Sequence, residues 1–306
     1  VSVPGTGSPA TGGTRDEVGG RQSSRAVLHD IRYSRFSGQL RSRASSVADL
    51  VRTDVMRPLG LRRSAGAKVW PFLLLAAAYL PALAVVAVPL LVPGVPLEPL
   101  EMLSYSALLA TDTMVLLAFV ATTVPSLLTR DRRDRVLSLY FATALSPGEY
   151  VLGKALAALS LVLIIVLGPL LVLFGGSVIS ADAPGEWLAE HAGDLPRLVG
   201  AALVVGGFHA VLGLLVGSLT SRRVFAVGGY LAVVLVGPAL AVLLANVLGD
   251  DGWLGLDPAS GPMRLATRVL GDPMEGSGAL AWGMWGVVVG GGSLGLWLRY
   301  RGGRDS

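Results

Sequence analysis

Long apolar runs closed off by charged or turn-forming residues recur six times along the chain, at 69–92, 103–128, 155–179, 198–219, 224–248 and 279–298. A helix needs about 20 apolar residues to cross roughly 30 Å of hydrocarbon, and each run meets that length. The pattern predicts an all-α integral membrane protein with six transmembrane helices. Pro71, Pro81, Pro89, Pro125, Pro169 and Pro238 fall inside the runs. Such prolines break soluble helices but are tolerated in a bilayer, where neighbouring helices satisfy the freed carbonyls.

Ahead of the first run, Leu40, Ala44, Val47, Val51 and Val55 recur every three or four residues, while Arg41, Arg43, Arg52 and Asp54 take other positions. The spacing predicts an amphipathic helix that either lies in the membrane interface or packs on the protein's own cytoplasmic face. Upstream, His29-Asp-Ile-Arg-Tyr-Ser-Arg-Phe-Ser-Gly38 mixes aromatic and basic residues suited to headgroup or partner contact. Residues 1–21 are rich in Gly, Ser, Thr and Pro and carry no apolar stretch, so a disordered tail is expected there, neither signal peptide nor packed element. The chain thus divides into that tail, a cytoplasmic interface segment at 22–68, a transmembrane domain at 69–299 and a short cytoplasmic tail at 300–306.

Charge orients the spans. If the loops alternate sides, 22 of the 25 lysines and arginines fall on one side, in 1–68, in 130–154, at Arg222 and Arg223, and after the last run. The opposite loops hold Arg197, Arg264 and Arg268 against acidic residues such as Glu98, Glu101, Asp182, Asp250 and Asp251. Positively charged loops resist translocation, so both termini are expected in the cytoplasm and the protein in the plasma membrane.

Composition agrees with lipid as the solvent, with 52% hydrophobic and 15% charged residues and a mean hydropathy of +0.63. The absence of cysteine removes disulfides, thiolate metal sites, iron–sulfur clusters and thiol nucleophiles. A net charge of +4 would suit nucleic acid, but the basic residues sit in short blocks beside apolar runs, as membrane-flanking charges do. Nucleic acid is therefore not expected as a partner.

The loop after the second run is the most distinctive stretch. It opens with Arg130-Asp-Arg-Arg-Asp-Arg135, passes through apolar positions to Leu145, and reaches Ser146-Pro-Gly-Glu149. Ser146 can cap exposed amides, Pro147 suits the first helical position and Glu149 completes a capping box, so a helix is expected to start there and run into the third span. Residues 132–145 are expected to form a short, cation-headed helix on the cytoplasmic surface. Gly148-Glu-Tyr-Val-Leu-Gly153-Lys154 matches the core of a phosphate-binding loop by spacing alone. Ala155 stands where Ser or Thr would hold magnesium, no strand precedes, and the capping box makes the stretch helical, so the match is rejected. Lys154 is expected to snorkel from the inner end of span three.

Two polar residues stand inside the runs. Asp112 lies about ten residues into the second, where an unpaired carboxylate costs roughly 2.5–3.5 kcal/mol. It lines a substrate path or makes a structural contact near the outer surface. His209, midway along the fourth run, titrates in such a path or bonds to a neighbouring helix. Gly213 with Gly217, Gly286 with Gly290 and Gly291 with Gly295 read as helix-packing positions.

Residues 130–154, together with the six-span layout, resemble ABC transporter permeases of the type-2 exporter family. There a charged turn precedes a short coupling helix, a Ser-Pro element and a Gly-Lys pair opening the third span. His29 to Gly38 and Gly60-Leu-Arg-Arg-Ser-Ala-Gly-Ala-Lys68 look like the N-terminal region of permeases from high-GC Gram-positive bacteria. The chain departs in having Arg130-Asp131 where many relatives carry Glu-Arg. The resemblance implies a homo- or heterodimer of permease subunits, each docked to a separate cytoplasmic ABC ATPase through an interface helix and the coupling helix. Coupling would then fall on Arg130, Asp131, Arg132, Arg133, Asp134, Arg135, Leu139, Tyr140 and Glu149, and the translocation path on Asp112 and His209. It also implies short or re-entrant helices in the outer loop, Pro262 to Leu270 being one. The chain itself is then no enzyme and binds no cofactor, and beyond its protein partners it contacts membrane lipids. The competing reading is an ion-coupled secondary transporter or channel, a class that typically shows broken paired helices or several intramembrane charges.

Overall fold

The computed structural model describes residues 42–61, 65–91, 104–137, 140, 145–274 and 276–301. Among them there is no strand, and six helices are long and apolar enough to cross a membrane: Lys68–Val88, Tyr105–Arg133, Pro147–Ser180, Asp194–Leu219, Arg223–Leu248 and Gly278–Arg301. Each of the six apolar runs therefore falls in one of these helices, with ends shifted where capping residues dictate. The leading tail expected at 1–21, the stretch around His29 to Gly38, and Leu40 lie outside the described residues.

Helix α1 (Arg43–Met56) begins where the Ser42 side chain accepts from the Ser45 amide. Its Leu50 and Asp54, one turn apart, are buried. Val47, Val51 and Val55 pack half-buried against the core, so the amphipathic face rests on the protein itself. The partner is α5 (Pro147–Ser180), approached closely because Gly153 offers no side chain; a Cβ there would lie 2.7 Å from Leu50 Cδ2.

Helix α2 (Ala65–Leu91) runs unbroken through Pro71, Pro81 and Pro89. It lies against α5, where the Tyr79 hydroxyl donates to the Ile164 carbonyl at 2.9 Å. The second span is two helices, α3 (Tyr105–Thr123) and α4 (Ser126–Arg133), parted at Val124 and Pro125. The proline lacks the N–H that would continue the ladder. α5 starts at the expected capping box, with the Ser146 Oγ accepting from the Glu149 amide at 3.3 Å and Glu149 Oε2 accepting from the Ser146 amide at 2.7 Å. Gly148 to Lys154 is accordingly helical, as expected, with its amides engaged in the helix.

After the short α6 (Pro184–His191), α7 (Asp194–Leu219) threads the centre, packed against α5. Gly213 and Gly217 of α7 face the proline break. A Cβ on Gly217 would stand 2.7 Å from the Pro125 carbonyl oxygen, so here small residues do bring two backbones together. Helix α8 (Arg223–Leu248) stops at Gly249, whose φ of 68° suits glycine. A 3₁₀ turn (Asp251–Leu256) and α9 (Gly261–Leu270) follow, the latter burying Met263, Leu265 and Ala266 against α7 and α3. That is the short helix expected in the outer loop. The last span joins α10 (Gly278–Gly286) to α11 (Gly292–Arg301) through one π turn (Val287–Gly291).

Two expectations need correction. A Cβ on Gly286, Gly290, Gly291 or Gly295 would meet nothing within 4 Å, so these glycines do not pack within the chain; Gly292 does, against Leu215 and Val211. Nor does the helix expected over 132–145 start at Arg132; residues 138, 139 and 141–144 of that range lie outside the described residues. Arg132 and Arg133 belong to the last turn of α4, and Asp134 and Arg135 form a turn with Arg135 at φ 52°, in the left-handed region. After it the Tyr140 amide donates to the Val136 carbonyl at 3.1 Å.

Candidate functional site

The polar residues of the bundle converge at its basic end, where α1, α4 and α5 meet. Lys154 projects inward from α5 and is 1% exposed. Its Nζ lies 2.7 Å from Asp54 Oδ2 of α1 and 2.6 Å from Asp131 Oδ2 of α4, and donates to the Leu127 carbonyl at 3.1 Å. Asp131 also accepts from the Tyr150 hydroxyl at 3.0 Å. The Tyr150 ring, fully buried, sits between Tyr140 (centroids 5.6 Å) and Tyr300 of α11 (5.4 Å). One lysine thus ties the N-terminal helix, the end of the second span and the start of the third, while Tyr150 adds the end of the last.

The snorkelling expected of Lys154 is therefore corrected. Two carboxylates inside the protein hold the ammonium more favourably than the interface would, because buried charge is tolerated only when paired and hydrogen-bonded. Two carboxylates against one ammonium leave a net charge of −1. Burial pushes the Asp54 carboxyl above its usual range, against the pull of Lys154. The sequence carried a signal for Asp54: it follows Val47 by seven residues and Leu50 by four, which places it on the apolar face of α1.

The expected coupling residues divide around this cluster. Asp131 is buried inside it, paired with Lys154. Arg132 reaches across to donate to the Ser218 carbonyl at the end of α7. Arg130 and Arg133 direct their Nε groups to Asp134 at 3.4 and 3.0 Å, and the hydrogen bond and charge of Arg133, with those of Arg130, hold that carboxyl below its usual range. Arg135 is exposed, Tyr140 packs on Tyr150, and Glu149 serves the capping box. Leu139 lies outside the described residues.

Beside the cluster a cavity of about 480 Å³ opens between α1, α2, α4 and the α7–α8 turn. Arg57, Arg130, Arg133 and Arg223 line it, with Trp70 and Thr122. Arg223 donates to the Thr122 carbonyl at 3.1 Å. In the sequence Arg223 counted only as a membrane-flanking charge and Arg57 only within the basic 1–68 segment, since they are far apart in the chain and only packing brings them to one cavity.

The two intramembrane residues do not join this site. Asp112 is 8% exposed on α3 and has neither an ion pair nor a hydrogen-bond partner for its side chain among the described residues. His209, fully buried on α7, shares a 2.9 Å hydrogen bond through Nδ1 with the Tyr230 hydroxyl of α8, so it bonds to a neighbouring helix. Among the described residues no three His, Asp or Glu side chains converge as a metal site. No protein-family model matches the chain, and neither a curated protein nor a solved structure matches it.

Proposed function

We propose that the chain is the membrane-spanning permease subunit of an ATP-driven ABC exporter, coupled to a separate ATPase. The observation that carries this reading is the buried Asp54–Lys154–Asp131 cluster, which joins α1, α4 and α5 just below the charged turn Asp134–Arg135. A partner pressing on that turn would move three elements at once, because the ion pairs leave none of them free to slide alone. The excess of Arg and Lys at this end favours its lying in the cytoplasm of the plasma membrane, where an ATPase would dock. Gly148 to Lys154, which matches a phosphate-binding loop by spacing, is helical, which fits an ATP site on another subunit, and a pair of permease subunits would complete the path.

The test is a gentle purification of the tagged full chain, with mass spectrometry of what accompanies it. A soluble ATPase is expected, and reversal of the exposed Arg135 to Glu should reduce its recovery. Recovery of the chain without any ATPase would remove the reading. Asp112, buried without a charged partner among the described residues, favours the second reading, an ion-coupled secondary transporter. Transport in vesicles under a proton gradient without ATP would establish that one instead.

A further inference from the structure

The cavity at the basic end has the chemistry of a phosphate site. Four arginines line it, Arg57 just after α1, Arg130 and Arg133 of α4, and Arg223 of α8. The carboxylates in its wall, Asp54 and Asp131, both lie on the Lys154 ammonium and are only 3% and 2% exposed, so they leave the cavity itself basic. The Arg57 side chain has no ion pair or hydrogen bond among the described residues, and Asp134 engages Arg130 and Arg133 through Nε. Guanidinium forks match phosphate oxygens two at a time, more closely than any other side chain does. The volume, about 480 Å³, falls within the range of small-ligand pockets.

The cavity wall also indicates what the phosphate is attached to. Trp70 and Pro71, at the start of the first spanning helix, form part of the lining. Beyond them the same helix exposes Phe72 and Leu73, which are 47% and 56% exposed. A polar, cationic chamber therefore passes directly onto an apolar, outward-facing surface, with a tryptophan at the level where indole rings favour the headgroup region. We infer that the cavity binds the headgroup phosphate of an acidic membrane lipid, with the acyl chains lying along the exposed face of α2. This inference needs the chain to sit in a bilayer but does not depend on the export reading.

Native mass spectrometry of the full chain in neutral detergent tests it, with dioctanoyl-phosphatidylglycerol and dioctanoyl-phosphatidylcholine as probes. Phosphatidylglycerol should be retained over phosphatidylcholine, and Arg57→Gln with Arg223→Gln should lower its retention about tenfold or more, given the strength of cationic side chains toward acidic headgroups. Arg197→Gln, at the other end, should leave it unchanged. Should the double variant fail to fold, Arg57→Gln alone serves, because its side chain makes no ion pair or hydrogen bond among the described residues. Equal retention of the two lipids, or unchanged phosphatidylglycerol binding in the Arg57 variant, overturns the site. Displacement by inorganic phosphate at the lipid's own concentration would show that the tail adds nothing, and the lipid assignment would fall to a water-soluble phosphate.

Discussion

Replacing Lys154 with Met tests the cluster most directly. The substitution keeps an unbranched side chain of similar length but leaves Asp54 and Asp131 facing one another with no cation. Their Oδ2 atoms lie 2.7 and 2.6 Å from the same Nζ, so the two carboxylates are within roughly 5 Å of each other. At that separation and an effective dielectric of about 20, their repulsion is about 3 kcal/mol. The Leu127 carbonyl loses its side-chain donor as well. Breaking a buried ion pair by removing one partner costs about 3–5 kcal/mol, and the same figure is expected here. Reversible unfolding in mixed micelles would measure it, and hydrogen exchange across 43–56 would show whether α1 is released first. Adding Asp54→Asn and Asp131→Asn to Lys154→Met removes the repulsion and should restore stability to within about 2 kcal/mol of wild type. A loss below about 1 kcal/mol for Lys154→Met alone would refute the idea that this lysine holds the basic end together.

Two further outcomes follow from the packing and the charges. Gly217→Ala should destabilise by about 1–3 kcal/mol, because the new methyl group would meet the Pro125 backbone, whereas Gly286→Ala, with nothing within 4 Å, should be neutral or slightly stabilising in the same unfolding assay. Because burial raises the Asp54 carboxyl above its ordinary 3.8, the folded chain holds that proton to higher pH than the unfolded chain does. Docking of α1 should therefore strengthen as pH falls through the raised value and weaken as pH rises through it. Hydrogen exchange of 43–56, corrected for intrinsic rates, should slow as pH is lowered from neutrality toward the ordinary carboxyl value of 3.8 in wild type and not in Asp54→Asn, and faster opening on acidification would contradict the sign.

The spans were legible because solvent chooses them. In lipid a helix must satisfy its own backbone over the full hydrocarbon width, so length and hydropathy alone picked out six helices. Local capping was equally legible: Ser146, Pro147 and Glu149 act within one turn and need no distant partner. Where a helix ends was less so: Pro71, Pro81 and Pro89 leave their helix unbroken, whereas the break at Pro125 lies where Gly217 packs against its backbone.

What the chain does with its charges was decided by tertiary structure. Lys154 at the edge of an apolar run looks the same in sequence whether it reaches outward to headgroups or inward to carboxylates. Only the docking of α1, made possible by Gly153, puts Asp54 within reach of it. The arginine-lined cavity likewise draws residues from positions 57, 130, 133 and 223, which no local spacing relates. Hydropathy is a sum over one segment and can be read along the chain, whereas an ion pair or a pocket is a distance between segments and exists only once they are packed.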